Sequence, residues 1–156
     1  RKAIMEAAQS SFISSSYWTE RVGYVAGLKV LEVFQRDNVV ETLKSSGKDI
    51  KTGLQELIQK FDLDIKVVGV DSVPIIVFNG DKGNVIKTLY TQEMLKKGFL
   101  AGNVIYVSAA HDRDEISLYL EAAHDVLGMI KLCLDNGIVK YLDGPVSHTG
   151  FQRLTK

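Results

Sequence analysis

Cysteine is almost absent from this 156-residue sequence: Cys133 is the only one. One thiol excludes an internal disulfide and any multi-cysteine metal site, and it fits a reducing, cytoplasmic setting. Net charge is missing too, because Lys+Arg and Asp+Glu both count 19. A balanced chain has no electrostatic reason to seek nucleic acid or an anionic membrane. There is no long uncharged apolar run, so no transmembrane helix is predicted, and the start shows no signal-peptide pattern. The three histidines, His111, His124 and His148, are far apart, and no pair has the i, i+4 spacing of a helical metal site. Structural or surface roles are expected for them. Internal repeats and low-complexity stretches are absent as well.

What is present is ordinary for a globular protein. Hydrophobic residues make up 46% and charged residues 24% of a length that suits one domain and a sizeable core. The chain starts at Arg1, not Met, inside a helical pattern, which reads as a piece cut from something longer.

Residues 1–12 read as a helix running into a turn. From about Thr19 to Arg36 the chain is apolar on nearly all sides, which predicts a helix buried on most sides. Gly23 and Gly27, four apart, let one stripe of it approach another element. Asn38 and Glu41 have capping-box spacing, which predicts a helix start at Asn38. Val40, Leu43, Gly47, Ile50, Leu54, Leu57 and Phe61 then recur at steps of three and four. Gly47 weakens that helix by about 1 kcal/mol against alanine. Strands are expected at about Ile65–Val70 and Ile75–Phe78, with a third in "NVIYVSAAH". "NGDKGN" reads as a turn with no helix directly after it, and so as a poor phosphate loop. Thr91 is expected to cap a short helix ending at Gly98. Asp112 and Glu115 form a second capping box, which accounts for them without catalysis. Ile116, Leu120, Ala123, Leu127, Ile130 and Leu134 carry a helical stripe to Gly137, with Cys133 as a small buried side chain. The order predicts an α+β fold: a small antiparallel sheet of about three strands with long helices packed on one face.

One stretch raises chemistry. "SFISSSYWTERVG" places three serines and an aromatic pair before the long apolar helix. The serines could cap that helix. They could equally hold a phosphate, since a helix N-terminus offers unsatisfied N–H groups and partial positive charge. Both readings predict a helix starting near Tyr17 to Thr19.

"IMEAAQSSFISSSYWTERVG" resembles a segment of the class III aminotransferases, pyridoxal-phosphate (PLP) enzymes of fold type I, in the branch of glutamate-1-semialdehyde aminotransferases and their sugar-pathway relatives. The pattern there is similar to "AAQxTFISSTxWTERxGP". "VSAAHDRDEI" and "GFQRL" resemble later stretches of the same family. The resemblance covers essentially all of this chain but only the last third or so of a family member. It implies a cofactor-phosphate contact from Ser16, with Ser15 beside it, made to the neighbouring subunit of a homodimer. It also implies Tyr17, Trp18 and Asn103 near the substrate mouth. The family's Schiff-base lysine and the aspartate that pairs with the pyridine nitrogen lie upstream, so no catalytic residue is expected here. Tyr24 replaces the family's proline. The loop "LAGNV" is shorter than in aminomutases and has Asn103 roughly where those carry a glutamate, which favours an ordinary or sugar-directed aminotransferase. On this reading residues 1–37 are a linker and phosphate-edge segment with a long buried helix, and residues 38–156 a small C-terminal domain. The parent enzyme would use PLP, a small-molecule amino donor and a carbonyl acceptor. The rival expectation is a non-enzymatic dimerisation or binding module of the same fold.

Overall fold

The computed structural model describes residues 2–10 and 19–148. The chain divides into two units, Arg1–Val39 and Val40–Lys156.

The first unit contains α1 (Lys2–Ser10) and α2 (Arg21–Arg36). Helix α2 begins at Arg21, later than the expected start near Tyr17 to Thr19. Glu20 occupies its N-cap position in extended backbone and makes no side-chain cap bond. A cap acts on the first turn only, so Ser16, four residues before Glu20, is too early in the chain to be the capping residue. At the other end the Asp37 N–H donates to Val33 O, and Asn38 follows with φ 49°. Asparagine tolerates this left-handed conformation, and here it ends α2. The expected capping box at Asn38 does not fit that backbone, because an N-cap residue is extended. Helix α2 also has no buried residue. Val22, Leu28 and Leu31 are 71%, 69% and 66% exposed, so the expected burial on most sides is not found.

In the second unit, α3 (Val39–Lys60) runs through the predicted stripe. Gly47, Ile50 and Leu54 are buried, with Leu43, Leu57 and Phe61 half-buried. Strands β1 (Ile65–Val68) and β2 (Ile75–Phe78) pair antiparallel, with Ile65 opposite Phe78 and Val67 opposite Ile76. Ile65, Val67 and Ile76 share the face that enters the core, while Lys66 and Val68 are exposed.

The third strand is reduced to one antiparallel bridge, Ile75 to Val104. The segment still runs beside β2: the Ile76 N–H donates to Asn103 O at 2.7 Å, Ile105 N–H to Pro74 O at 2.9 Å, and Val107 N–H to Ser72 O at 3.2 Å. Pro74 explains the shortfall, since it has no N–H to return the bond from Ile105.

Helix α4 (Gly83–Lys96) corrects two expectations. It starts directly inside "NGDKGN", and Thr91 is an exposed residue of its interior, not its cap. A side chain at Gly83 would collide with the backbone carbonyl of Phe78, so glycine permits the close strand-to-helix approach. The end is as expected: Gly98 has φ 92°, and the Phe99 N–H reaches back to Met94 O at 2.9 Å.

Helix α5 (Arg113–Asp135) follows its predicted cap. Asp112 Oδ1 accepts the N–H groups of Asp114 and Glu115, each at 3.0 Å. Ile116, Ala123, Leu127 and Ile130 are buried, as is Cys133. A 3-10 turn (Ile138–Tyr141) then buries Ile138. The following tail is fastened to α4: the Ser147 N–H donates to Thr88 Oγ1 at 3.1 Å and its hydroxyl to Asn84 Oδ1 at 3.1 Å. The fold is therefore α+β with a two-stranded sheet and one adjoining extended segment.

Candidate functional site

Four of the five residues singled out by resemblance, Ser15, Ser16, Tyr17 and Trp18, lie outside the described residues. Asn103 is described. It is half-buried, and its backbone carbonyl is engaged by the Ile76 N–H. Its neighbours Gly102 and Val104 line a cleft of about 400 Å³ in the second unit.

The cleft lies between the segment 99–106, the first turns of α5, and Ile50 of α3. Each wall follows from local structure. Gly98 ends α4 and turns the chain into the extended segment. The Asp112 cap starts α5 where Glu115, Ile116 and Tyr119 come to share one side. Ile50 arrives on the buried stripe of α3. The rings of Phe99, Tyr106 and Tyr119 all contribute, and Phe99 meets Tyr119 edge-on at 5.7 Å between centroids.

The Tyr119 hydroxyl is bonded to that of Tyr90 at 2.7 Å, and Tyr90 is wholly buried. Burial pushes the Tyr119 phenol up to about 12, although the bond to Tyr90 pulls the other way. Burial likewise drives Tyr90 well above its usual range. Both phenols therefore stay neutral at working pH and anchor the ring. The His111 ring is held by the loop, its Nδ1 accepting the Ser108 N–H at 3.2 Å, so Nε2 carries the proton in the neutral ring. Among the described residues lining the cleft, Glu115 is the only one with a fixed charge. The Glu115 carboxylate makes no hydrogen bond or ion pair among the described residues: Asp112 caps the helix, and Glu115 does not return the bond.

This cleft offers PLP no anchor of its own: no lysine or arginine lines it to meet the cofactor phosphate. Among the described residues, no buried side-chain nitrogen or oxygen lacks a partner, and no three His, Cys, Asp or Glu side chains converge as a metal site. No helix among the described residues is long and apolar enough to cross a membrane. The sequence reading missed the cleft because it assigned Glu115 to capping. The available signal was the spacing of His111, Glu115 and Tyr119, each four apart.

No protein-family model matches the chain. Curated relatives do. An aminopentol aminotransferase of Sphingopyxis macrogoltabida is 29% identical over 119 residues, covering 75% of this chain and 28% of its own. A 3-aminobutyryl-CoA aminotransferase of Cloacimonas acidaminovorans is 23% identical over 132 residues, covering 81% and 32%. A glutamate-1-semialdehyde 2,1-aminomutase of Methanothermobacter thermautotrophicus is 25% identical over 148 residues, covering 84% and 35%. The chain thus spans about a third of the length of the relatives it matches. Among solved structures, the PLP internal aldimine form of the FumI protein of Sphingopyxis sp. MTA144 superimposes with a TM-score of 0.69 at 26% identity, over 84% of this chain and 32% of that one. A transaminase with PLP bound shares the fold, with a TM-score of 0.55 at 23% identity, over 59% of this chain and 23% of that one. The relatives and neighbours are PLP-dependent aminotransferases and an aminomutase, which bears out the resemblance read in the sequence.

Proposed function

We propose that this chain is the C-terminal portion of a class III PLP aminotransferase that acts as a cytoplasmic homodimer. The observation that carries the reading is the superposition of most of the chain on about a third of the FumI protein. In the complete enzyme, bound PLP would act as the electron sink for moving an amino group from a small-molecule donor to a carbonyl acceptor. The contribution of this chain is narrower. Ser16, with Ser15 beside it, donates a hydroxyl hydrogen bond to the phosphate held by the neighbouring subunit. Tyr17, Trp18 and Asn103 stand at the substrate mouth. Residues 1–37 form the phosphate-edge segment with α2, and residues 38–156 form the small domain.

The test is lysine trapping. The natural gene product is incubated with PLP, reduced with borohydride and mapped by mass spectrometry. One stoichiometrically labelled lysine upstream of Arg1 is expected, and only weak, scattered labelling within residues 1–156. Stoichiometric trapping at a single lysine of the present chain would overturn the reading.

The apolar side of α2 gives a second prediction. In the complete enzyme it packs against the large domain near the partner subunit. In the 156-residue chain alone Val22, Leu28 and Leu31 are exposed, so the chain is expected to self-associate through them. Sedimentation should show species heavier than a monomer, and Leu28→Glu with Leu31→Glu should shift them to the monomer. A clean wild-type monomer with α2 still helical would contradict this.

A further inference from the structure

We propose that residues 143–148 form a detachable strap, which side-chain amides of α4 hold in place and which lifts off as one unit while α4 stays folded. The proposal stands apart from the aminotransferase reading. Strap and helix both belong to the second unit, and neither PLP nor the serine motif takes part.

Asn84, Thr88, Gln92 and Lys96 recur every four residues, so they share one face of α4. Each of them meets the returning chain, which runs antiparallel to the helix. The Gln92 carboxamide brackets two residues: its Nε2 donates to Tyr141 O at 3.0 Å, and its Oε1 accepts the Asp143 N–H at 2.7 Å. A paired strand bonds its neighbour in the same way, so this side chain stands in for a peptide group. Toward the start of α4 the Asn84 carboxamide grips Ser147, its Nδ2 donating to the carbonyl and its Oδ1 accepting the hydroxyl at 3.1 Å. The Thr88 hydroxyl donates to Asn84 O at 2.7 Å, which leaves its oxygen to accept the Ser147 N–H at 3.1 Å. Lys96 pairs with Asp143 at 2.9 Å. The two carboxamides lie about 12 Å apart along the helix, at about 1.5 Å per residue. The chain from Asp143 to Ser147 spans at most about 14 Å when extended, so it meets both amides in one register only.

Little else fastens the strap. Among the described residues, 143–148 make no backbone–backbone hydrogen bond. Asp143, Gly144, Pro145 and His148 are exposed, and Val146 and Ser147 are only half-buried. Helix α4, in contrast, buries Ile86, Leu89, Tyr90 and Met94 in the core. Lifting the strap exchanges side-chain bonds for bonds to water and exposes little apolar surface, whereas unfolding α4 dismantles the core. The short span couples the two grips: once one amide lets go, the freed chain gains conformational entropy at the expense of the other.

Amide hydrogen exchange of the 156-residue chain, resolved residue by residue, tests the strap. The Asp143 and Ser147 N–H groups have side-chain acceptors only, and those of Gly144 and Val146 have none among the described residues. Asp143 and Ser147 should therefore exchange more slowly than Gly144 and Val146, yet about a hundredfold or more faster than Leu89 and Tyr90 inside α4. Asn84→Asp keeps the shape of the side chain and removes the donor to Ser147 O, and a carboxylate in the first turn suits the helix. It should cut protection about tenfold at Ser147 and also at Asp143, which Asn84 does not touch. Gln92→Glu is the reciprocal variant and should cut protection at Ser147, although its acceptor Thr88 is intact. Lys96→Met should change either amide by less than about threefold, because the ion pair is exposed. Leu89 and Tyr90 should keep their rates in every variant. Equal rates at all four strap amides of the wild type would mean that the strap is not docked. Exchange of Asp143 and Ser147 as slow as that of Leu89 and Tyr90 would make it a permanent part of the core. Losses confined to the residue each variant touches would make the contacts independent, and a larger loss from Lys96→Met than from the amide variants would put the hold in the ion pair. Any of these results overturns the proposal, and none depends on PLP, so failure here and failure of lysine trapping are distinguishable.

Discussion

Gly47→Ala is expected to destabilise the second unit by about 2–3 kcal/mol. Helix propensity alone gives the opposite sign, because alanine in a helix interior is favoured over glycine by about 1 kcal/mol. Packing decides between them. A Cβ at Gly47 would overlap the backbone carbonyl of Asp71, and a backbone atom cannot swing aside as a side-chain end can. That loop is also tied to α3: Lys51 Nζ donates to Gly69 O at 3.0 Å and pairs with Asp71 Oδ1 at 2.9 Å. Relieving the overlap would stretch these bonds or pull Ile50 and Leu54 of α3 out of the core. Gly53→Ala is the control. Its Cβ would meet only the tip of Leu120, which can change rotamer, so a loss under about 1 kcal/mol is expected. Urea unfolding of the two variants measures the contrast. A Gly47→Ala chain more stable than wild type would mean that α3 and the 69–72 turn do not approach as described.

The same glycine shows where sequence reading stops. The stripe of α3 and the Asp112 cap of α5 were legible, because each is fixed by residues within a few positions of one another. Gly47 could be read only as a local weakness, since its neighbour Asp71 is brought to it by tertiary packing. Helix α4 was half legible. Its end carries a signal, Gly98 in left-handed backbone, but its start has Lys82 at the N-cap with no side-chain cap bond and Gly83 as the first residue. With no cap to mark the start, Thr91 imitated one. The third strand failed for a different reason: its pattern was right, but Pro74 on the neighbouring strand lacks the N–H that would complete the ladder.

The candidate sites divide in the same way. The cleft joins Ile50, the 99–106 segment and Tyr119, which are distant in sequence, so no short motif announces it. The serine motif is the reverse case. It is contiguous and specific as a resemblance, yet its physics alone left helix capping and phosphate binding open. Glu20, not a serine, holds the N-cap position of α2, and the role proposed for Ser16 is the phosphate contact.

That role is expected to appear as a loss of cofactor retention in the complete enzyme. A hydrogen bond to a charged acceptor contributes roughly 1.5–3 kcal/mol. Ser16→Ala should therefore weaken PLP retention by about one to two powers of ten, since about 1.4 kcal/mol is one power. Ser16→Thr should retain affinity or raise it, because it keeps the hydroxyl and stiffens χ1. The phosphate is remote from the reacting end of the cofactor, so saturating PLP should restore most of the turnover in Ser16→Ala. Mixed dimers then ask which subunit donates. One subunit carries Ser16→Ala and an intact Schiff-base lysine, and its partner lacks that lysine but keeps Ser16. If Ser16 acts across the dimer, the lysine-competent site receives the intact serine from its partner and retains PLP normally, while the other site carries both defects. If Ser16 acts within its own subunit, each site carries one defect, and the lysine-competent site loses PLP as readily as the Ser16→Ala homodimer. Dialysis of tagged heterodimers, followed by the cofactor absorbance that remains, separates the two cases. Weak retention at the lysine-competent site would rule out "SSSYWTE" as a clamp on the partner's phosphate.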